Sequence, residues 1–460
     1  MKSARGLWLA ALALLLGSFS IFAVAPPEKS IALSWRKNKT ADAQIESVPL
    51  AKVLSRLSTE TGWKIFLQPG LNETVSAQFQ NVSQGEALKL LLGDLSYAFV
   101  PQSGGGAKLY VYKTSIKDAT SLIRPDLASR PKNWLAKELI LSLAPGSKQD
   151  IDRLAAELGG KVVAKSDALN AYRVEFPDAA SAEAAREKIA NREDVAYHDN
   201  YGFDRPQVAG SGSPSPDSLF PLDATPVTRG DQVTVALVDT AIQTLNGKMQ
   251  EFILPSVHIR DTPTAFPQDP THATSMAQTV LNSMALNQEN SASGKVRILP
   301  IDVYGSAGST TTFEVAQGLH YAIKSGAQVI NLSLGGTGQS PMVDYLLEMA
   351  NRKQILVLAS AGNSPTTDPT YPAANPYTIA VTATDWQGNI APYANRGSFV
   401  DLKAPGTSKV YYNGQGYLST GTSTATAYMS GQAAALTAAG YNSAQASSAL
   451  LKNYSFSAKR

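Results

Sequence analysis

From residue 223 to residue 457 the chain alternates between two patterns of apolar positions. Short unbroken apolar runs recur: VTVALVD (233–239), VRILPIDV (296–303), VINLSL (329–334), ILVLAS (355–360) and YTIAVTA (377–383). Between most of them, at 272–285, 312–325 and 341–353, apolar residues return at helical spacing. Strands without polar alternation are covered on both faces. The pattern therefore predicts an α/β fold, a doubly wound and mostly parallel sheet with helices on both faces. In such sheets ligands gather beyond the carboxyl ends of the strands.

Two smaller patterns precede this region. In 43–114, Leu50, Val53, Leu54 and Leu57 fall on one helix face, and Gly62 stops the helix. A second helix starts at Ser83 with Glu86 three residues on, buries Leu88, Leu91 and Leu92, and ends at Gly93. AKLYVYKTS closes a small α+β unit. Its PLAKVLSRLSTETG and GEALKLLLGDLSYAF segments resemble the short N-terminal domain of secretins and TonB-dependent receptors. That resemblance implies an interaction module for an envelope protein, with no catalytic residues. In 134–203 a strand, a helix starting around Ser147–Asp150 with Ile151, Leu154, Ala155 and Leu158 buried, and the alternating strand AYRVEF are followed by another helix and strand. A Pro-, Gly- and Ser-rich stretch, 204–222, then reads as an exposed linker open to proteolysis.

Composition narrows the function. With 43% hydrophobic and 17% charged residues among 460, the chain is globular, and a net charge of +3 without a basic run gives no footprint for nucleic acid. The absence of cysteine excludes disulfides, thiolate metal sites and cysteine nucleophiles. At the N-terminus, Lys2 and Arg5 precede an apolar stretch from Gly6 to Ala25 that ends in Ala23-Val24-Ala25. This is the pattern of an export signal, 1–25. The stretch is also nearly long enough to anchor in a bilayer, and Pro26 follows the expected cut. The expectation is a periplasmic or secreted protein, meeting the inner membrane only if this segment is retained.

Four polar residues stand at strand ends and helix starts. Asp239 ends VTVALVD, His272 opens a helix in DPTHATSMAQTV, Asn363 follows ILVLASAGN, and Ser423 opens GTSTATAYMSGQAAALTAAG. A serine hydroxyl needs a base to take its proton. Histidine is that base near neutral pH, and a buried aspartate orients the imidazole. The developing oxyanion needs fixed donors, which the Asn363 amide and the Ser423 N–H at a helix start would supply, with Gly421 letting backbone approach. Each residue alone has a plainer explanation: a cap, a turn, or one hydroxyl among Ser419, Thr420, Thr422 and Thr424. Of the other three histidines, His198 is unassigned, His258 lies in a strand and His320 in a helix interior.

In their order, these segments resemble the subtilases, the subtilisin-type serine proteases of peptidase family S8. VALVDTAI, THATSMA, VINLSLGG, LASAGN, YPAANPYTIAVTATD, GSFVDLKAPG and GTSTATA follow one another as that family's segments do. The resemblance implies Asp239 and His272 as acid and base, Ser423 as nucleophile and Asn363 as oxyanion donor. It also implies substrate binding along Ser333, Leu334 and Gly335, with Gly362 beside the oxyanion segment. Thr370 would floor a shallow specificity pocket for small or medium apolar side chains. It makes 134–203 an inhibitory prodomain of a zymogen. No cofactor is implied. Calcium is common in the family, but no acidic loop cluster marks a site here. The chain departs from the family at Ala241 and Ala273, where Gly is usual, at Ser275 and Gln278, which replace His and Gly, and at Ala427, which replaces Pro. These departures keep open two alternatives: a catalytically silent fold that binds peptides, or an envelope adapter acting through 43–114.

Overall fold

A computed structural model of the chain describes residues 31–35, 40–101, 107–123, 130–190, 192, 194–206, 232–245, 247–263, 265–286 and 294–456. The export signal, most of the 204–222 linker and the first residues of 223–457 lie outside the described residues. No helix among the described residues is long and apolar enough to cross a membrane.

Seven parallel strands form the main sheet, in the spatial order Val257–His258, Val296–Asp302, Val233–Asp239, Val329–Leu332, Leu356–Ser360, Ile379–Thr384 and Leu402–Pro405. Every residue of Val296–Asp302 and Leu356–Ser360 is buried, as their unbroken apolar runs require. Alternate residues feed two cores. Ala236 and Val238 pack with Phe313, Leu319, Leu346 and Leu347 of helices Thr312–Lys324 and Pro341–Arg352. Val235 and Leu237 pack with Met276, Val280, Met429 and Leu450 of helices His272–Ala285, Thr422–Ala438 and Ser443–Tyr454.

The helices that begin at His272 and Thr422 lie backbone to backbone. A Cβ on Gly431 would stand 2.4 Å from the Val280 carbonyl oxygen. Ser283 Oγ donates to the Tyr428 carbonyl at 2.6 Å, and Gln432 Nε2 donates to the Ser283 carbonyl at 2.7 Å.

Residues 130–206 form four antiparallel strands, Trp134–Leu143, Lys161–Ser166, Ala171–Glu175 and Val195–Asp204, with helices Ile151–Glu157 and Ala179–Ala190. The first helix is capped by Asp150, which accepts the N–H groups of Asp152 (3.0 Å) and Arg153 (3.2 Å). Ser147 instead accepts the Gln149 N–H in the preceding turn. The last strand runs on into the main body, where Gly202–Asp204 pairs with Ser309–Thr311. Ile140, Ala171 and Phe203 join the core beneath helix Thr312–Lys324.

The N-terminal unit has two sheets. One is antiparallel, Ile31–Trp35, Thr40–Pro49 and Thr74–Ser83; the other holds Ser96–Pro101, Ala107–Tyr112, Lys64–Leu67 and Ser121–Leu122. Helices Leu50–Thr61 and Gln84–Leu92 close its core, and Ser83 accepts the Glu86 N–H at 3.3 Å. Its strands begin before residue 43 and end after residue 114. It meets the 130–206 unit where Lys64 Nζ stands 4.2 Å from the Tyr197 ring centre and Phe66 packs with Ala190.

Candidate active site

Asp239 ends the strand Val233–Asp239, and its Oδ1 accepts the Thr240 N–H at 2.6 Å. Thr271 caps the next helix by accepting the Thr274 N–H, which makes His272 its first residue. Gln243 steadies this turn: its Oε1 accepts the Thr271 N–H at 2.7 Å, and its Nε2 donates to the Pro267 and Asp269 carbonyls. His272 Nδ1 then lies 2.9 and 2.8 Å from the two Asp239 carboxylate oxygens. The pair is 6% and 1% exposed, so water competes little for this contact. A carboxylate oxygen is the natural acceptor of this bond and Nδ1 its donor, which turns Nε2 away from Asp239. Nearby Tyr304 is pushed above its ordinary range by burial and by the Asp239 carboxylate. Its hydroxyl donates to the Asp204 carbonyl of the last 130–206 strand.

Gly421, at φ 151° and ψ 171°, precedes the helix Thr422–Ala438, a backbone state open essentially to glycine. A Cβ there would also lie 3.2 Å from Asn363 Nδ2. Ser423 is the second residue of the helix, where N–H groups have no partner within the helix. Its Oγ donates to the Ser333 carbonyl at 3.4 Å, and among the described residues no hydrogen bond joins it to His272. Asn363 is exposed, with Oδ1 accepting from both Thr422 N–H (2.9 Å) and Thr422 Oγ1 (3.0 Å). That fixes which way the amide faces and leaves Nδ2 to donate elsewhere.

Ser333–Gly335 lies just past Leu332, the last paired residue of its strand. Asn331 Nδ2 donates to Ser333 Oγ at 2.9 Å, and Ser430 Oγ donates to Asn331 Oδ1 at 3.0 Å. Leu334 is buried, and a Cβ on Gly335 would stand 3.3 Å from the Tyr371 carbonyl oxygen. Thr370 is buried and spends its hydroxyl on the Ala361 carbonyl at 2.6 Å. Gly362 N–H donates to Thr422 Oγ1 at 3.1 Å.

The departures from the family pattern find room. Ala241 and Ala273 are buried, and neither has a positive φ, so neither position demands glycine. Ser275 Oγ donates to the Thr271 carbonyl. Gln278 exchanges two hydrogen bonds with the Tyr411 backbone, 3.0 and 2.8 Å, tying the helix to the hairpin Thr407–Tyr412 and Gln415–Thr420. Thr240, Gln243, Asn331 and Thr422 are supports that the sequence reading did not single out for a role. Only Thr422, next to Ser423, carried a local signal. His258 and Asp302 form a second Asp–His pair at 3.1 Å on neighbouring strands, with the other Asp302 oxygen taken by the Tyr304 and Gly305 N–H groups. Among the described residues no group of three or more His, Asp or Glu is placed to hold a metal ion.

Residues 230–456 match the subtilase family model, and residues 129–198 match the model of the fervidolysin N-terminal prodomain. Thermitase of Thermoactinomyces vulgaris is 33% identical over 231 residues, 49% of this chain and 82% of that protein. Subtilisin Savinase of Lederbergia lenta is 33% identical over 216 residues, 45% of this chain and 76% of that protein. Among solved structures, the protease domain of PatA shares 25% identity over 44% of this chain and 78% of its own, with a TM-score of 0.39.

Proposed function

Because the chain belongs to the subtilase family of serine endopeptidases and carries a prodomain, we propose that it is an exported zymogen whose chemistry is carried by Asp239, His272, Ser423 and Asn363. The observation that carries this reading is the buried Asp239–His272 pair, with an exposed amide and a serine hydroxyl at the same strand ends. On this reading Ser423 Oγ turns from the Ser333 carbonyl to His272 Nε2, which takes its proton as Oγ attacks the scissile carbonyl. Asp239 holds the imidazole and stabilises the imidazolium. Asn363 Nδ2 and the Ser423 N–H receive the oxyanion, and His272 returns the proton to the leaving amine. Serine–histidine bonds are often long without substrate, so the present Ser423 rotamer is compatible with this path.

The substrate is a peptide or protein, laid as an added strand along Ser333–Gly335 with its side chain over Thr370. The pairing of Gly202–Asp204 with Ser309–Thr311 supports an intramolecular inhibitor released by a cut in the linker that follows. The export pattern supports work in the periplasm or outside the cell, or at the inner membrane where the N-terminal segment is kept. The 31–123 unit would dock an envelope protein.

Intact mass over time, for residues 26–460 and for Ser423→Ala, tests the reading. The wild type should lose its N-terminal units by a cut after Arg205 and take a fluorophosphonate label. Ser423→Ala should do neither, with kcat lower by on the order of 10⁶, the scale known for subtilisin. Equal behaviour of the two proteins would overturn it in favour of a silent peptide-binding fold.

A further inference from the structure

Asn363 is exposed, yet the chain on either side of it is held by one residue that belongs to none of the site segments above. Asn395, in the connection from strand Ile379–Thr384 to strand Leu402–Pro405, is 1% exposed. Its Nδ2 donates to the Ala361 carbonyl at 2.7 Å, and its Oδ1 accepts the Ser364 N–H at 2.9 Å and the Thr366 N–H at 3.5 Å. Its own N–H donates to the Gly362 carbonyl at 3.0 Å. On the far side, Thr382 Oγ1 donates to the Asn395 carbonyl at 2.5 Å and so joins it to the sheet.

Apart from Thr382, the contacts of Asn395 therefore end on Ala361, Gly362, Ser364 and Thr366, the stretch that flanks Asn363. The fit is close: a Cβ on Gly362, at φ 106°, would lie 2.6 Å from Asn395 Nδ2. The Ala361 carbonyl also accepts the Thr370 hydroxyl, so the oxyanion loop and the specificity-pocket floor meet on one oxygen. Asn363 is thus gripped twice. Thr422 holds its side chain from the nucleophile helix, and Asn395 holds the backbone on either side of it from the sheet.

Resting on the serine-protease reading above, we propose that Asn395 is a positioning residue for oxyanion stabilisation, acting through Ala361–Ser364 to aim the Asn363 amide. A ground-state peptide makes little use of that amide, whereas the tetrahedral oxyanion depends on it. Loss of the grip should therefore appear in kcat and leave KM nearly unchanged. A purely structural role in the core would lower the amount of folded enzyme and leave the turnover of each folded site intact.

Asn395→Asp keeps the acceptor for Ser364 and turns the donor into a carboxylate oxygen facing the Ala361 carbonyl. Rates should be taken per active site, counted with a fluorophosphonate, so that lost protein does not enter. The expected result is a fall in kcat of about 10- to 100-fold with KM within about threefold. Affinity for a peptide boronate should fall in parallel. In an Asn363→Ala background the same substitution should cost less than about threefold, because the group it positions is gone. If Asn395→Asp gives no titratable sites, Asn395→Ser carries the same comparison.

A wild-type kcat per site would overturn the proposal, as would an equal loss with and without the Asn363 amide. An unlabelled wild type would overturn the protease reading along with it. A labelled, active wild type whose kcat survives Asn395→Asp would remove only the positioning role.

Discussion

The 232–456 region and the 130–206 region both bury polar side chains, but of different kinds. Around the candidate site they are mainly neutral amides and hydroxyls: Asn331, Thr382, Asn395, Thr422 and Ser430. In the prodomain a charge cluster stands beside the buried neutral residues Asn200 and Ser166. Arg186, 1% exposed, bonds Asp199 at 3.0 Å and Glu183 at 2.9 Å, while Arg130 bonds Asp199 from the other side. Both guanidinium groups lie over Trp134, at 4.2 and 5.2 Å from its ring centre. Burial acts to raise the Asp199 carboxyl, and Arg186 and Arg130 overcome it and hold it below the usual carboxylate range. Neutral, directional bonds keep one geometry across pH and salt. A buried ion cluster holds only while every member is present. On the zymogen reading proposed above, these two solutions would serve a site that must repeat one geometry and an inhibitor that must leave.

The comparison can be pressed at the Asp239–His272 pair, one of the places, with Asp302 and Glu314, where charge enters the 232–456 region. Asp239→Asn keeps shape and hydrogen bonds but favours the wrong imidazole tautomer. It should lower kcat by about 10⁴ with little change in the melting temperature, measured on peptide hydrolysis. Next in size, Asp199→Ala strands two buried guanidinium groups. In the full-length Ser423→Ala protein it should cost the prodomain about 3–5 kcal/mol, seen as an earlier urea transition.

The smallest effect concerns His198, on the last prodomain strand. Burial pushes it down to about 4 from 6.5, with Lys64 of the N-terminal unit adding to the shift and Asp199 opposing it. The folded chain therefore holds it neutral. Its stabilisation is complete above about pH 6.5 and is lost as pH falls toward about 4. His198→Gln should flatten the melting temperature against pH over that window by about 2–4 °C, and an unchanged slope would remove His198 from the account.

How much of this was legible depended on burial. The five apolar runs announce themselves because both their faces are covered. Leu402–Pro405 does not, since it is an edge strand whose alternate residues are exposed, while Val257–His258, the other edge, shows only as a short strand around His258. The helix at Ile151 starts later than Ser147 suggests because Asp150 binds two N–H groups and Ser147 binds a turn. Asp239, His272, Asn363 and Ser423 stand out because strand ends and helix starts leave a readable sequence trace. The bond of Ser423 to Ser333 and the supports Gln243 and Asn395 leave none. They act across loops, and an asparagine after an alanine gives no sign of where the chain will fold back. Ala241 and Ala273 stand where glycine is usual in the family, and neither has a positive φ, so the backbone there does not require glycine.

The close contact at Gly431 turns the site into a matter of leverage. Gly431 lies eight residues beyond Ser423, and Val280 lies eight residues beyond His272, on helices that both begin at the site. Each arm is therefore about 12 Å long, measured from a common fulcrum. A single methyl at that fulcrum would splay the arms, and the gap between nucleophile and base would widen far from the substitution. The reach of Ser423 toward His272 is thus set as much by the bareness of one distant residue as by anything at the site itself.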